Sequence, residues 1–356
     1  MSSSHYFGAG PAALPSEVKQ QFQNAVLQYK NLPISILELN HRSQEFASIL
    51  ENAQSLLRNL YSVPDNYQIL FMQGGATLQF DAVPLNLLGE SRSATYIDTG
   101  MWSRRASEFA EKYTQVNLIN GLEEVNGRTC CITPELWEID SETAYLYVTP
   151  NETVDGITLP ELPYFDVPVV ADMTSCFLMR SVDISRYGII FAATQKTLGI
   201  SGLTVVIIRD DLLKHVSDRT PYLLRYDVYA KEHSIVNTSP VVACYICELM
   251  LDWIKRHGEL DQMVKDANVR AQLLYSAIDE SEFWLNSICG DSRSTINVVF
   301  DCQDQNTLGE FLCQAEQQGL TGLKGHRLKG GVRASMYNGT PVDVVKKLTE
   351  IIRTYN

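Results

Sequence analysis

The stretch Tyr187-Gly188-Ile189-Ile190-Phe191-Ala192-Ala193-Thr194-Gln195-Lys196-Thr197-Leu198-Gly199 decides how this chain is read. An apolar run of strand length leads into a turn of small residues that carries Lys196. A second apolar run, Leu203-Thr204-Val205-Val206-Ile207-Ile208, follows it. A lysine delivered by a buried strand is held inside the protein. Desolvation disfavours its ammonium, and the neutral amine can attack a carbonyl. Upstream, Val167-Pro168-Val169-Val170-Ala171-Asp172 is another apolar run, ending in a carboxylate.

Taken singly, an Asp at a strand end is commonly a turn residue or helix cap, and a Lys there is commonly solvated. On consecutive strands they form the pair expected of an enzyme that holds pyridoxal phosphate. The lysine serves as Schiff base and the aspartate meets the pyridinium nitrogen.

Outward from this stretch, short apolar runs alternate with helix-like segments. Strands are expected at Tyr67–Met72, Ala94–Ile97, Gln115–Ile119, Ala144–Val148, Val167–Ala171, Gly188–Ala193 and Leu203–Ile208. Runs this continuously apolar mean strands covered on both faces, hence a mostly parallel seven-stranded sheet sandwiched by helices in an α/β fold. Helices are expected at about Ser16 to Tyr29 and Gln44 to Leu60. In the second, Phe46, Ile49, Leu50, Ala53, Leu56, Leu57 and Leu60 form a stripe at helical spacing. After a helix at about Pro240 to His257 the pattern turns mixed: helix Leu260–Ile278, strand Thr295–Phe300, helix Thr307–Gln318, strand Val332–Tyr337, helix Val342–Tyr355. The division expected is an N-terminal loop segment 1–15, a large domain 16–258 and a smaller α+β domain 259–356, with the N-terminal segment packing on the smaller one.

A chain of 356 residues buries a large core. Its formal net charge of −13 argues against nucleic acid and anionic membranes as partners. No apolar run approaches the ~20 residues that span a bilayer. The start, Met1-Ser2-Ser3-Ser4-His5, lacks a basic region followed by an apolar one, so a cytoplasmic location is expected. The eight cysteines are scattered, which suggests reduced thiols. Cys244-x-x-Cys247 lies in an apolar helical run with no second pair at zinc spacing, so it reads as helix packing.

Several loops carry candidate ligands. Gln73-Gly74-Gly75-Ala76-Thr77 follows a strand and opens a helix, where backbone N–H groups bind phosphate; the alternative is a plain tight turn. Trp102, just after another strand, can stack on an aromatic ring or simply pack. Thr149-Pro150-Asn151-Glu152-Thr153-Val154-Asp155-Gly156 is a polar loop at a strand's carboxyl end, where α/β sheets bind ligands. Two basic groups stand out in an acidic chain: His41-Arg42, and Lys324-Gly325-His326-Arg327-Leu328-Lys329-Gly330-Gly331-Val332-Arg333. Either they form an anion site or they are solvated charge.

These segments, with Phe7-Gly8-Ala9-Gly10-Pro11-Ala12-Ala13-Leu14-Pro15 and Asn237-Thr238-Ser239-Pro240, fall in the order seen in one family. The whole chain resembles the phosphoserine aminotransferases, of the fold-type I, class V pyridoxal-phosphate enzymes. The resemblance implies a Schiff base on Lys196, Asp172 at the ring nitrogen, Trp102 stacked on the ring and Thr153 at the phenolic oxygen. It implies a phosphate site from Ala76, Thr77 and Gln195, completed by Asn237 and Thr238 across a homodimer. It implies His41, Arg42, His326, Arg327 and Arg333 as the substrate's anion binders. Some members carry Gly-Arg where this chain has Ala76-Thr77, so the grip on the phosphate differs in detail. The implied reaction is amino transfer between L-glutamate and 3-phosphooxypyruvate, giving O-phospho-L-serine and 2-oxoglutarate; a second activity on 4-phosphohydroxy-L-threonine is also implied. The competing readings are another class V enzyme, such as a cysteine desulfurase or an alanine–glyoxylate aminotransferase, and a non-catalytic protein of the same fold. A desulfurase needs a reactive cysteine on a mobile loop, and Cys289, Cys302 and Cys313 are the late candidates.

Overall fold

The computed structural model describes residues 5–91, 93–217 and 220–355; Met1 to Ser4 of the N-terminal segment lie outside them. Seven strands form one sheet: β1 Tyr67–Gln73, β2 Ser93–Asp98, β3 Gln115–Asn120, β4 Leu146–Val148, β5 Val169–Asp172, β6 Ile189–Ala193 and β7 Leu203–Arg209. Their order across the sheet is β1-β7-β6-β5-β4-β2-β3. Neighbours pair in parallel except around β7, which runs antiparallel to both β1 and β6.

Continuous apolar runs are explained by burial on both faces. Ile69, Phe71, Ile190, Ala192, Val205 and Ile207 join one core. It is filled by helices α1 (Ser16–Leu27), α2 (Gln44–Leu60) and, later in the chain, Val241–Arg256. The alternate residues Leu70, Met72, Ile189, Phe191, Val206 and Ile208 join a second core on the opposite face. Here α3 (Ala76–Leu87) and α4 (Met101–Ala110) pack, helped by the short helix α5 (Tyr226–Lys231). The expected β5 start at Val167 moves to Val169, because Pro168 has no N–H to give a ladder.

After α6 (Val241–Arg256), Gly258 adopts φ 93°, a left-handed turn that starts α7 (Glu259–Asp279). Beyond α7 lie a three-stranded antiparallel sheet, β8 Trp284–Leu285, β9 Asn297–Cys302 and β10 Val332–Ser335, and helices α8 (Gln305–Gln317) and α9 (Val342–Arg353). Their apolar faces make a third core with Phe7 and the second half of α7, whereas Met263 and Ala267 of its first half join the large core. His5–Tyr6 pairs in parallel with Leu320–Thr321, so the N-terminal segment does pack on this later part.

One expectation is corrected. The cysteines are not all reduced: Cys130 and Cys289 form a disulfide. A ribbon of Leu122–Val125 and Arg128–Cys131 brings Thr129 against Ile288 through backbone bonds of 2.8 and 2.9 Å, and that contact aligns the two sulfurs. Cys244 and Cys247 are both buried in the core on α6, as their apolar surroundings suggested. Among the described residues no helix is long and apolar enough to cross a membrane, and no cluster could hold a metal ion.

Candidate active site

β5 and β6 are adjacent and parallel, with Asp172 in register with Phe191. Both strands therefore end at the same edge of the sheet, and the turn after β6 brings Lys196 back beside Asp172. Thr194 fixes that turn: its N–H donates to the Leu203 carbonyl at 3.0 Å, and its hydroxyl donates to the Ile200 carbonyl. Lys196, Asp172, Gly75, Ala76, Thr77, Trp102 and Gln195 line one cavity of about 160 Å³, together with Thr149, Asn151, Thr174 and Ser175.

Solvent reaches part of the Lys196 side chain through the cavity mouth. Its amine is nevertheless enclosed, and burial pulls its pKa down to about 8. Asp172 and Glu152 oppose this by attracting the ammonium, while Arg333 adds to it by repulsion. Asp172 is 6% exposed, and burial raises its carboxyl pKa. The Thr174 N–H, donated to Asp172 Oδ1 at 2.9 Å, and the Lys196 charge work the other way.

Trp102 forms a wall, with its ring centroid 5.9 Å from Lys196 Nζ. Its indole N–H donates to Thr153 Oγ1 at 2.9 Å, fixing ring and hydroxyl together. The first turn of α4 is held from below by a residue that the sequence alone did not single out. Glu152 is fully buried and accepts the backbone N–H groups of Trp102 at 3.1 Å and Ser103 at 2.8 Å. Burial pushes its pKa up to about 7, and those two N–H groups limit the rise. Close approach demands a glycine before the helix: a Cβ on Gly100, at φ 155°, would lie 2.7 Å from Asp155 Oδ2. Asn151 was also missed. Its Nδ2 donates to Ser175 Oγ at 2.8 Å and to Asn297 Oδ1 at 2.9 Å, tying the loop to β9. No local signal marks either residue, since Asn and Glu are ordinary in a polar loop.

α3, whose first residues line the cavity, begins at Ala76 with no side chain capping its N-terminus. Its first N–H groups thus remain available to an anion. Thr149 and Thr197 are buried with hydroxyls that have no partner among the described residues.

The basic groups divide. Arg333 on β10 donates to the Thr153 carbonyl at 3.4 Å, and its Nε is buried without a partner among the described residues. Burial lowers its pKa. His326 is next to it electrostatically: burial first, then Arg333 and Arg327, pull its pKa down, while Asp155 pulls it up. Lys329 closes an ion pair of 2.8 Å with Asp155. Arg327 is exposed on the same loop. Four further residues, like Thr153, His326, Arg327 and Arg333, lie outside the lining of the Lys196 cavity in their own chain. His41 and Arg42 sit on a surface turn, with no side-chain bond among the described residues. Asn237 and Thr238 are exposed on the loop before α6, where Asn237 Nδ2 reaches Gln73 Oε1 at 3.4 Å.

The arrangement offers a near-neutral amine, a buried carboxylate beside it, an aromatic wall and an uncapped helix N-terminus in one cavity. Known proteins share this framework. A phosphoserine aminotransferase from Bacillus circulans subsp. alkalophilus is 36% identical, with TM-score 0.96 over 100% of this chain and 99% of that one. One from Trichomonas vaginalis, with PLP bound, is 32% identical, with TM-score 0.92 over 98% and 99%. A phosphoserine aminotransferase whose Schiff base was followed under radiation damage is 35% identical, with TM-score 0.95 over 100% and 99%. An alanine–glyoxylate aminotransferase from Nostoc sp., at 16% identity and TM-score 0.77, shares the fold alone. The family model for class-V aminotransferases matches residues 5–348, taking in every element that builds the cavity. A lysine and an aspartate at the ends of neighbouring strands, and a match along nearly the whole chain, show that it belongs to the class-V aminotransferases.

Proposed function

We propose that this chain is a pyridoxal-phosphate-dependent phosphoserine aminotransferase. It moves the amino group of L-glutamate to 3-phosphooxypyruvate, giving O-phospho-L-serine and 2-oxoglutarate. The observation that carries the reading is the shared cavity of Lys196, Asp172 and Trp102. The residues present fit the cofactor: an orphaned Thr149 hydroxyl and an uncapped α3 N-terminus suit a phosphate, and the indole suits an aromatic ring. Lys196 would hold the cofactor covalently, with Asp172 at its ring nitrogen and Thr153 at its phenolic oxygen. Ala76, Thr77 and Gln195 would hold its phosphate. When bound, pyridoxal phosphate supplies an electron sink for the pair left at the substrate's Cα.

The chain's own residues do the rest. Lys196, freed as an amine and easily deprotonated at a pKa of about 8, takes the Cα proton and returns it. Asp172, held by the Thr174 N–H, would offer its carboxyl group to the ring nitrogen. Glu152 and Thr153 fix the backbone and the indole of Trp102, so that the indole would meet the cofactor in one orientation. Arg333, with an unpaired Nε in a half-buried setting, binds the substrate carboxylate. His326 and Arg327 meet the other anion. His41, Arg42, Asn237 and Thr238, all away from the cavity of their own chain, would serve the cavity of a partner subunit in a homodimer. The division at residue 258 goes with this reading, and the separate core formed by α8, α9 and the β8–β10 sheet supports it. Activity on 4-phosphohydroxy-L-threonine follows the same site chemistry.

The cysteine desulfurase reading loses its candidates. Cys289 is bonded to Cys130, and Cys302 is buried with its thiol pKa pushed up. Cys313 is exposed but lies on helix α8 rather than on a loop, and outside the lining of the Lys196 cavity. The test is the visible absorption of the purified protein. The band should bleach on adding O-phospho-L-serine and return with 2-oxoglutarate, and Lys196→Ala should abolish turnover. A coloured protein indifferent to phosphoserine but responsive to alanine would move the function to another class-V activity.

A further inference from the structure

A second cavity of about 810 Å³ lies where the N-terminal segment, α6, α7 and the start of α9 meet. It shares no lining residue with the cavity of Lys196. Arg270 of α7 forms part of its wall and is only 3% exposed. One guanidinium nitrogen donates to the Thr340 carbonyl at 3.0 Å. The Nε and the other terminal nitrogen have no partner among the described residues. Leaving such donors unpaired in the interior is costly, since a buried charged group needs hydrogen bonds as well as a counter-charge. Burial lowers the Arg270 pKa to about 10, which still leaves it cationic at neutral pH. Asp266 attracts it but makes no ion pair with it among the described residues; that carboxylate accepts Gln262 Nε2 at 2.7 Å.

The surroundings are built for negative charge. Helix α9 starts here with Pro341 as N-cap and no side chain capping its first N–H groups, and both Pro341 and Val342 line the cavity. Lys19 lines it from α1, exposed and with no side-chain bond among the described residues. Glu17, the other acid in the wall, is engaged by Arg256 at 2.5 Å.

We propose that this cavity binds a small oxyanion, a carboxylate or a phosphate, on the unpaired fork of Arg270, with the α9 N-terminus behind it and Lys19 at the rim. Two parallel N–H donors in a plane match two oxygens of either group, and the helix end adds favourable dipole and free N–H groups. The ligand would lie against Ala12–Pro15. Ala12 donates its N–H to the Gln195 carbonyl at 2.8 Å, so this wall continues to the residue before Lys196.

The test is calorimetric titration of the holoenzyme with inorganic phosphate and, separately, with acetate. At least one anion should bind the wild type, and the tighter of the two gives the ligand class. Lys19→Ala should weaken that binding about two- to fivefold, the effect of one exposed charge. Arg270→Met should remove one binding event, and Arg333→Ala should leave that same event intact. If Arg270→Met does not fold, Lys19→Ala carries the test, since that exposed side chain has no structural bond to lose. The proposal is overturned if neither anion binds, if folded Arg270→Met binds as the wild type does, if Arg270→Met does not fold and Lys19→Ala binds as the wild type does, or if Arg333→Ala alone abolishes binding.

Discussion

Replacing Lys196 by methionine should stabilise the cofactor-free protein while destroying its activity. The pKa of the Lys196 amine falls from an ordinary 10.5 to about 8, chiefly through burial. Each pKa unit corresponds to about 1.36 kcal/mol, so the ammonium costs the folded state about 3 kcal/mol at pH 7. The sign follows from proton counts. Between pH 8 and 10.5 the unfolded chain binds a proton at this lysine that the folded chain has released, so wild-type stability rises with pH in that window. Below pH 8 both states are protonated and the full cost remains. Methionine has similar length, no charge and no such cost. The attraction of Asp172 and Glu152 is already contained in the lowered value, and protonation of Asp172 in the variant would only widen the gap. Urea unfolding of the two cofactor-free proteins, at one protein concentration, should favour Lys196→Met by about 3 kcal/mol at pH 7. At pH 10 the difference should shrink to about 1 kcal/mol. Equal stability at pH 7, or a gap that does not narrow with pH, would falsify the claim that burial holds this amine near neutrality.

Two further outcomes are expected. Capture of the cofactor by the cofactor-free protein requires the neutral amine, so its rate should climb about tenfold per pH unit below 8 and level off near that pH; a climb continuing to pH 10 in stopped-flow absorbance would show an unperturbed lysine. Glu152→Ala removes the acceptor for the Trp102 and Ser103 N–H groups and should lower stability by about 1–2 kcal/mol, read by thermal unfolding. Trp102 fluorescence should change with it, and an unchanged melting curve would show that the α4 start does not depend on this carboxylate.

What the chain reveals unaided depends on how far apart the cause and its signature lie. Ile69, Leu70, Phe71 and Met72 are apolar in succession because alternate residues face two different cores, and that cause acts within the strand itself. The strand pattern, the two strand-end residues Asp172 and Lys196, and the Trp102 and Thr153 loops are legible for the same reason: each sits at a fixed place relative to its own strand. Glu152 is not, because its task is set by the N-terminus of a helix far back in the chain. Cys130 and Cys289 are not, because their meeting depends on a ribbon registering against the Ser287–Cys289 segment across 159 residues. His41 and Arg42 are a mixed case. Their chemistry as anion binders is plain in an acidic chain, yet their own fold leaves them on its surface, away from the Lys196 cavity. Arg270 is the reverse. In sequence it is one more cation on a long helix, indistinguishable from a solvated face. Only the packing of α9 and the N-terminal segment over it buries it and leaves its donors unpaired. Residues whose role is assigned by a distant element are therefore where structure adds most to a reading of this chain, and where the reaction cavity and the second cavity both acquire their less obvious parts.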